Sequence, residues 1–265
     1  KIAVAGCLGR MGQELSKQII ANDTLEFAGG FEHKKHKDIN KQFKIVSNIN
    51  STKLIDSSPA SSIKLAQVLI DFTTPQSTLE NVKIASQNKT AVIIGTTGMT
   101  ESQKKKVKSY AKKIPILMSS NMSIGVNLLF NLVRQTAHAL KDTDYDIEIA
   151  ETHHKHKKDA PSGTALSLGE YAAEGRKISF NKSKVLDRTK KLTNRKKGDI
   201  GFSVTRGGEI AGEHTVSFIG ENDRVDLFHK ANNRSIFVRG AIDAAIFLSK
   251  KKSGFYSMSD LLFSK

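Results

Sequence analysis

Hydrophobic positions along the chain fall into short unbroken runs and into longer stretches where apolar residues recur every three or four places. The first run, residues 1–5 (KIAVA), stops at a glycine cluster, and residues 11–21 then carry Met11, Leu15, Ile19 and Ile20 at near-helical spacing. A short apolar run reads as a buried strand and the spaced stretch as an amphipathic helix, so the chain opens as strand, tight turn, helix. Strands are expected next at 25–31, 63–73, 90–96 and 114–118, with helices at 75–88 and 101–113. Strands alternating with helices require right-handed crossovers, which build a parallel sheet covered on both faces. The first ~120 residues therefore read as a Rossmann-like, doubly wound α/β unit.

The pattern changes after a long helical stretch at 124–140. A strand is expected at 145–152 and a helix at 162–174, followed by three strands at 200–206, 213–220 and 224–230 separated by Gly- and charge-rich turns. Consecutive strands joined by short turns imply a mixed, mostly antiparallel sheet, hence a second α+β domain. Residues 235–250 return to helical spacing, and 254–263 close the chain in a stretch expected to pack back on the first domain. The expected division is 1–123 with 234–265 for the first domain and 124–233 for the second. Residues 33–42 and 177–197 hold many polar and few apolar residues and read as solvated loops.

Composition narrows the function. The 265 residues include 42 Lys and Arg against 26 Asp and Glu, a net charge of +16, which attracts nucleic acid, phosphorylated cofactors or dicarboxylates alike. The lone Cys7 excludes a disulfide framework and a thiolate metal cluster, and it fits a reducing cytosol. No window approaches the roughly 18 uncharged apolar residues of a membrane span, and residues 1–6 read as a strand rather than a leader. The expectation is a soluble, cytoplasmic, untargeted protein.

Two regions carry candidate chemistry. The turn after the first strand, Gly6-Cys7-Leu8-Gly9-Arg10-Met11-Gly12, is a GxxGxxG variant at a strand-to-helix junction. Glycines there allow a tight turn, close approach to a pyrophosphate and helix packing on the strand, and the helix N–H groups take phosphate. Arg10 is a candidate phosphate contact. Glu32 stands where an acidic residue takes the adenosine ribose hydroxyls, and His33, Lys34 and Lys35 follow it, which suits NADH and admits NADPH. Two more turns at expected strand ends, Asp71-Phe72-Thr73-Thr74-Pro75 and Gly95-Thr96-Thr97-Gly98, are placed to touch the cofactor.

The other region runs from Glu151 to Leu166 and contains His153, His154, His156, Lys157 and a Pro-Ser-Gly-Thr helix start. The N–H groups of Gly163 and Thr164 at that start, next to Lys157, suit a carboxylate, and the histidines supply groups that titrate near neutrality. A metal site is disfavoured: His-His-x-His is not the i, i+4 pair of zinc peptidases, no obvious carboxylate joins it, and the lysines repel a cation. Lys155, His156 and Lys158 read as a solvated charge run. A nucleic-acid loop lacks aromatic residues to stack bases.

Taken in order, AGCLGRMG, the DFTTP and GTTG turns, the segment from Asn121 to Asn127, the stretch EIAETHHKHKKDAPSGTAL and the segment from Arg206 to His214 resemble the bacterial dihydrodipicolinate reductase family across nearly the whole chain. The resemblance implies NADH- or NADPH-dependent reduction of a cyclic, unsaturated dicarboxylate in diaminopimelate and lysine biosynthesis. It implies His153 as general acid, Lys157 as carboxylate binder and ring polariser, His154 as a substrate contact, and Gly163 and Thr164 as amide donors to a carboxylate. It adds Ser120, Asn121 and Met122 to the cofactor contacts Gly6, Gly9, Arg10, Met11, Gly12, Glu32, Phe72, Thr73, Gly95, Thr96 and Thr97. It also implies a homotetramer built through the second domain. This chain departs from the family at His33, where arginine is frequent, and at Met122, where an aromatic is frequent; the loop 177–197 matches nothing in it. Two other readings stay open at this point: a different two-domain nicotinamide oxidoreductase of amino-acid metabolism, and a nucleic-acid-binding protein motivated by the charge.

Overall fold

The computed structural model describes residues 1–141, 143–189 and 194–263. It resolves into two compact units, Lys1–Ser123 with Ser235–Lys265, and Ile124–Arg234. Arg234, expected in the first unit, falls in the second, where its guanidinium lies on His154, Nη2 to Nε2 at 3.1 Å.

The chain begins with β1 (Ile2–Ala5), α1 (Arg10–Ile20), β2 (Phe27–Phe31), α2 (Phe43–Ser47), β3 (Ile55–Asp56), α3 (Pro59–Lys64), β4 (Val68–Asp71), α4 (Pro75–Gln87), β5 (Ala91–Ile94), α5 (Glu101–Tyr110) and β6 (Pro115–Met118). The second unit holds α6 (Ile124–Ala139), β7 (Asp146–His153), α7 (Gly163–Arg176), α8 (Phe180–Ser183), β8 (Lys184–Val185), β9 (Ile200–Arg206), β10 (Glu213–Ile219) and β11 (Arg224–Lys230). The chain then returns to the first unit with α9 (Ser235–Leu248), β12 (Gly254–Tyr256) and α10 (Met258–Phe263).

The first unit is a seven-stranded parallel sheet in the order β12-β6-β5-β4-β1-β2-β3. Its strands are apolar on both faces, as a sheet covered by helices on each side requires. Leu15 and Ile19 of α1 are fully buried, each contributing about 1.5–3 kcal/mol of transfer free energy. One expectation is corrected. The stretch 63–73 is not one strand: Pro59 at the first helical turn starts α3, which includes Ile63, and only Val68–Asp71 is extended. The closing stretch supplies β12, which pairs in parallel with β6 at the sheet edge.

The second sheet, β11-β10-β7-β9-β8, is mixed. β10 pairs antiparallel with β11 and β7, whereas β7–β9 and β8–β9 are parallel, because the long connection through α7 returns the chain in the same direction. One face of β7 packs on α6 and α7 in a core of Ile147, Ile149, Val133, Leu168, Ala172, Val216 and Phe218. The expected loop 177–197 contains α8 and β8, and its residues 190–193 lie outside the described residues. Arg188 binds both carboxylate oxygens of Glu148, at 2.7 and 2.9 Å, so this segment is tied to β7 rather than freely solvated.

Candidate functional site

In the first unit, Ala5 at the end of β1 pairs with Phe31 on one side and Asp71 on the other. The chain therefore leaves β1, β2 and β4 side by side, at the point where the strand order reverses and where open α/β sheets bind ligands. A cleft of about 650 Å³ opens there, lined by Gly6, Gly9, Glu32, His33, Lys34, Phe72 and Thr73 of the expected residues, together with Ser57, Pro59, Ser77 and Asn81. Gly6 takes φ 63°, a left-handed conformation open to glycine, and a Cβ on Gly12 would sit 2.1 Å from the Gly6 carbonyl oxygen. No side chain caps the start of α1 at Gly9, so no side chain of the protein competes there with an anion for the first-turn N–H groups. The Glu32 carboxylate is held in place, accepting from the Leu8 N–H at 3.2 Å and the His33 N–H at 2.9 Å.

Beneath the cleft lies a buried polar knot. Asp71 Oδ1 accepts from the Thr73 N–H at 3.0 Å, the Thr73 hydroxyl at 2.6 Å and the Thr96 hydroxyl at 3.3 Å, and Oδ2 accepts from Asn81 at 2.9 Å. Burial pushes the Asp71 carboxyl up, against the donors that favour its charged form. The two expected turns after β4 and β5 are thus pinned to one carboxylate. Of the remaining expected cofactor residues, Arg10, Thr97 and Ser120 are exposed, Met11 is half-buried, Gly95 packs on the Phe72 ring, and Asn121 and Met122 are buried. None of these lines the cleft.

In the second unit the alternation of β7 decides the site. Ile147, Ile149, Glu151 and His153 share the buried face, so the apolar row ends in a carboxylate and an imidazole. Oε2 of Glu151 lies against Nδ1 of His153. Oε1 accepts from Arg206 Nη2 at 2.9 Å and from the backbone N–H of Ser162 at 2.9 Å. Burial works to raise the Glu151 carboxyl, but His153, Arg206 and the Ser162 amide outweigh it and hold it down at about 2. His214 of β10 stands edge-on to His153, ring centroids 5.0 Å apart, with its Nε2 3.3 Å from the Ser162 hydroxyl. Burial first, then the charge of His153, pushes His214 down to about 3, so it is neutral near pH 7.

The Ser162 hydroxyl also caps α7, accepting from the Ala165 N–H at 3.1 Å. Lys157 pairs with Asp159 at 2.9 Å. Partial burial works to raise the Asp159 carboxyl, but the Lys157 ammonium and the Gly163 amide hold it below its usual range. A carboxylate already sits, in other words, on the ammonium and amide expected to bind one. Space beside Gly163 is open. His154 is lowered first by burial and then by the Arg234 guanidinium. Lys155, His156 and Lys158 are exposed, the first two near Glu209 at 3.4 and 3.7 Å.

Contrary to expectation, a carboxylate does join the histidines: an oxygen of Glu151 falls within 4.8 Å of nitrogens of His153 and His214. Its Oε1 is held by Arg206 and the Ser162 N–H while Oε2 lies against His153 Nδ1, so both oxygens already face groups of the protein.

Comparison with known proteins is decisive at this point. The dihydrodipicolinate reductase N-terminus family matches residues 1–122 and the dihydrodipicolinate reductase C-terminus family residues 125–262. The chain belongs to the dihydrodipicolinate reductase family. It is 40% identical over 263 residues to the 4-hydroxy-tetrahydrodipicolinate reductase of Bartonella tribocorum, covering 99% of this chain and 97% of that protein. It is 44% identical over 264 residues to that of Ruegeria sp., covering 98% and 97%. Among solved structures it resembles dipicolinate-bound dihydrodipicolinate reductase from Paenisporosarcina sp. TG-14, at 25% identity and TM-score 0.74, covering 97% of this chain and 96% of that one. An amine dehydrogenase from Mycobacterium smegmatis, 7% identical with TM-score 0.67, shares the fold.

Within this reductase fold, Glu151, Arg206, Gly212, His214 and Arg234 are the residues to which the sequence assigned no role, although all but Arg234 lie in the stretches that carry the family resemblance. Glu151 was findable: it precedes His153 by two on a strand, so both share a face. Arg206 and His214 depend on register, since β9 places Arg206 beside His153 and β10 places His214 beside Glu151. No sequence signal gives that register.

Proposed function

We infer that this protein is an NAD(P)H-dependent 4-hydroxy-tetrahydrodipicolinate reductase of diaminopimelate and lysine biosynthesis, acting on a small cyclic dicarboxylate. The family membership supports the reaction. The observation that supports the residue roles is the buried Glu151–His153 pair at the end of β7, with Lys157 and the start of α7 close by in sequence.

The first unit's cleft fits a dinucleotide: a left-handed glycine at the turn, an uncapped helix start and an anchored carboxylate at the end of β2. Gly6, Gly9 and the start of α1 would hold the pyrophosphate, and Glu32 the ribose hydroxyls. Bound there, the reduced nicotinamide supplies a hydride. His153 supplies the proton that completes the reduction, its ring steadied by Glu151. Lys157 and the N–H groups of Gly163 and Thr164 bind substrate carboxylate, with Asp159 giving way, and His154 with Arg234 completes the polar wall. We place the enzyme in the cytoplasm as a homotetramer assembled through the second unit; Phe228, 58% exposed on the edge strand β11, suits such an interface.

The test is reduced-cofactor consumption with freshly generated substrate, run separately with NADH and NADPH. His153→Gln should lower turnover by roughly 10²-fold or more, with little change in cofactor affinity. Near-normal turnover in that variant would remove His153 from its role.

A further inference from the structure

The pair at the end of β7 does more than place an imidazole. We propose that Glu151 is the positioning residue that makes His153 a one-directional proton donor, by holding a proton on Nδ1 so that Nε2 is the atom that delivers to substrate. The inference deepens the reading of His153 as proton donor and rests on it.

Three observations carry it. First, Glu151 Oε2 lies against Nδ1 of His153, both side chains are buried, and the strand fixes them on one face. Second, the carboxylate cannot turn away, because Oε1 is bound by Arg206 Nη2 and by the Ser162 N–H, each at 2.9 Å. The same oxygen thus ties the proton donor to the first residue before α7, the helix start that would take a substrate carboxylate. Third, the opposite edge of the ring faces a glycine. A Cβ at Gly212 would come within 3.0 Å of His153 Nε2, and Gly212 has none. A carboxylate on Nδ1 and a residue without a side chain beside Nε2 define the direction of transfer, as a buried carboxylate does when it selects the tautomer of a catalytic imidazole.

The charged and titratable groups around the ring come from every neighbouring element: Glu151 on β7, Arg206 beside it on β9, His214 on β10, and His154 and Lys157 in the following loop. Glu151 is the anion in direct contact with the imidazole. Replacing Glu151 by Gln keeps the shape and removes the charge. Arg206 and Ser162 both donate, so the new carbonyl oxygen would face them and the new amide NH₂ would face Nδ1. A donor there drives the neutral ring to the Nε2–H form and opposes the imidazolium.

The experiment uses the full chain labelled with ¹⁵N-histidine, with ring nitrogens assigned by two-dimensional NMR, alongside steady-state kinetics. In the wild type the neutral His153 ring should carry its proton on Nδ1, and in Glu151→Gln on Nε2. Turnover should fall at least about tenfold in that variant. The KM for the dicarboxylate should change less than kcat, and the pH above which kcat is lost should move downward. Glu151→Asp, which keeps the charge, should keep the Nδ1–H form and recover part of kcat. A wild-type ring protonated on Nε2 overturns the proposal whether or not any variant folds. So does a Glu151→Gln protein that folds and keeps both tautomer and kcat. The tautomer needs no turnover to be read, so loss of the parent reading shows separately, as near-normal turnover in His153→Gln.

Discussion

At the scale of single residues, the second unit's site depends on one missing side chain. Gly212 has φ 152°, which L-residues rarely adopt, and a Cβ there would meet His153 Nε2 at 3.0 Å and Cδ2 at 3.2 Å. His153 cannot retreat, because Glu151 holds its other edge and His214 packs edge-on at 5.0 Å between centroids. Gly212→Ala should therefore lower turnover by about tenfold or more, with backbone strain of order 1–3 kcal/mol lowering stability too. Kinetics and thermal melting together check this. A variant with a lowered melting temperature and unchanged kcat would show that the Nε2 edge is not the reacting edge. The residue scale is also where the sequence was most legible. His153, Lys157 and Gly163 stand out as chemistry-bearing types in a short stretch, and the i, i+2 rule of a strand adds Glu151. What composition hides is pairing. That Lys157 already meets a carboxylate, Asp159, at 2.9 Å is a fact of loop geometry, and spacing alone does not reveal it.

Elements turn such residues into sites, and here the buried Asp71 knot is the clearest case. The turn after β4 is a strand end, an N-cap at Thr74 and a proline at the first helical position of α4; the turn after β5 contributes Thr96. Asp71 collects donors from both, so the two turns cannot move independently. Asp71→Asn replaces one acceptor oxygen by a donor facing the donor of Asn81. One unsatisfied buried group costs about 1–3 kcal/mol, so the melting temperature should fall. Because Phe72, Thr73 and Asn81 line the cleft, the KM for reduced cofactor should rise while that for the dicarboxylate changes little. Equal rises in both would place the effect in global stability. Legibility at this scale follows length and period. The four-residue strands β1, β4, β5 and β6, and the helices with a spaced apolar face, could be anticipated. The elements α2, β3, α3, α8, β8 and β12, each two to six residues long, could not, since so few positions carry no period. The strand expected over 63–73 fused α3 with β4 for that reason, with Ile63 and Leu65 completing an apolar run that belongs to two elements.

For the molecule as a whole, acid should act through buried neutral histidine as much as through charge. His214 is 3% exposed and pushed down to about 3, so in the unfolded chain it takes up a proton below its ordinary value of 6.5 while the folded protein leaves it neutral. The unfolded state then binds more protons, and stability falls as pH drops from 6.5 towards 3, by up to about 1.4 kcal/mol per pH unit for one such group. His154 and His229 are shifted in the same direction, mainly by burial, and add to the trend. Glu151 follows at lower pH: its stabilisation is complete above about 4.5 and is lost as pH falls towards 2. General repulsion in a chain already at +16 acts the same way, so the two sources need separating. Salt does this, because exposed charges are screened beyond roughly 5 Å at a few tenths molar while the cost of charging a buried imidazole is not. Urea midpoints followed by far-UV circular dichroism at pH 7, 6, 5 and 4.5 should fall with pH for the wild type at both low and high salt. His214→Asn should start from a lower midpoint at pH 7, having lost the contact with the Ser162 hydroxyl, and should show a shallower decline below pH 6.5 that persists in high salt. If its midpoints instead ran parallel to those of the wild type at every pH, His214 would not be the source, and the acid sensitivity would belong to the surface charge.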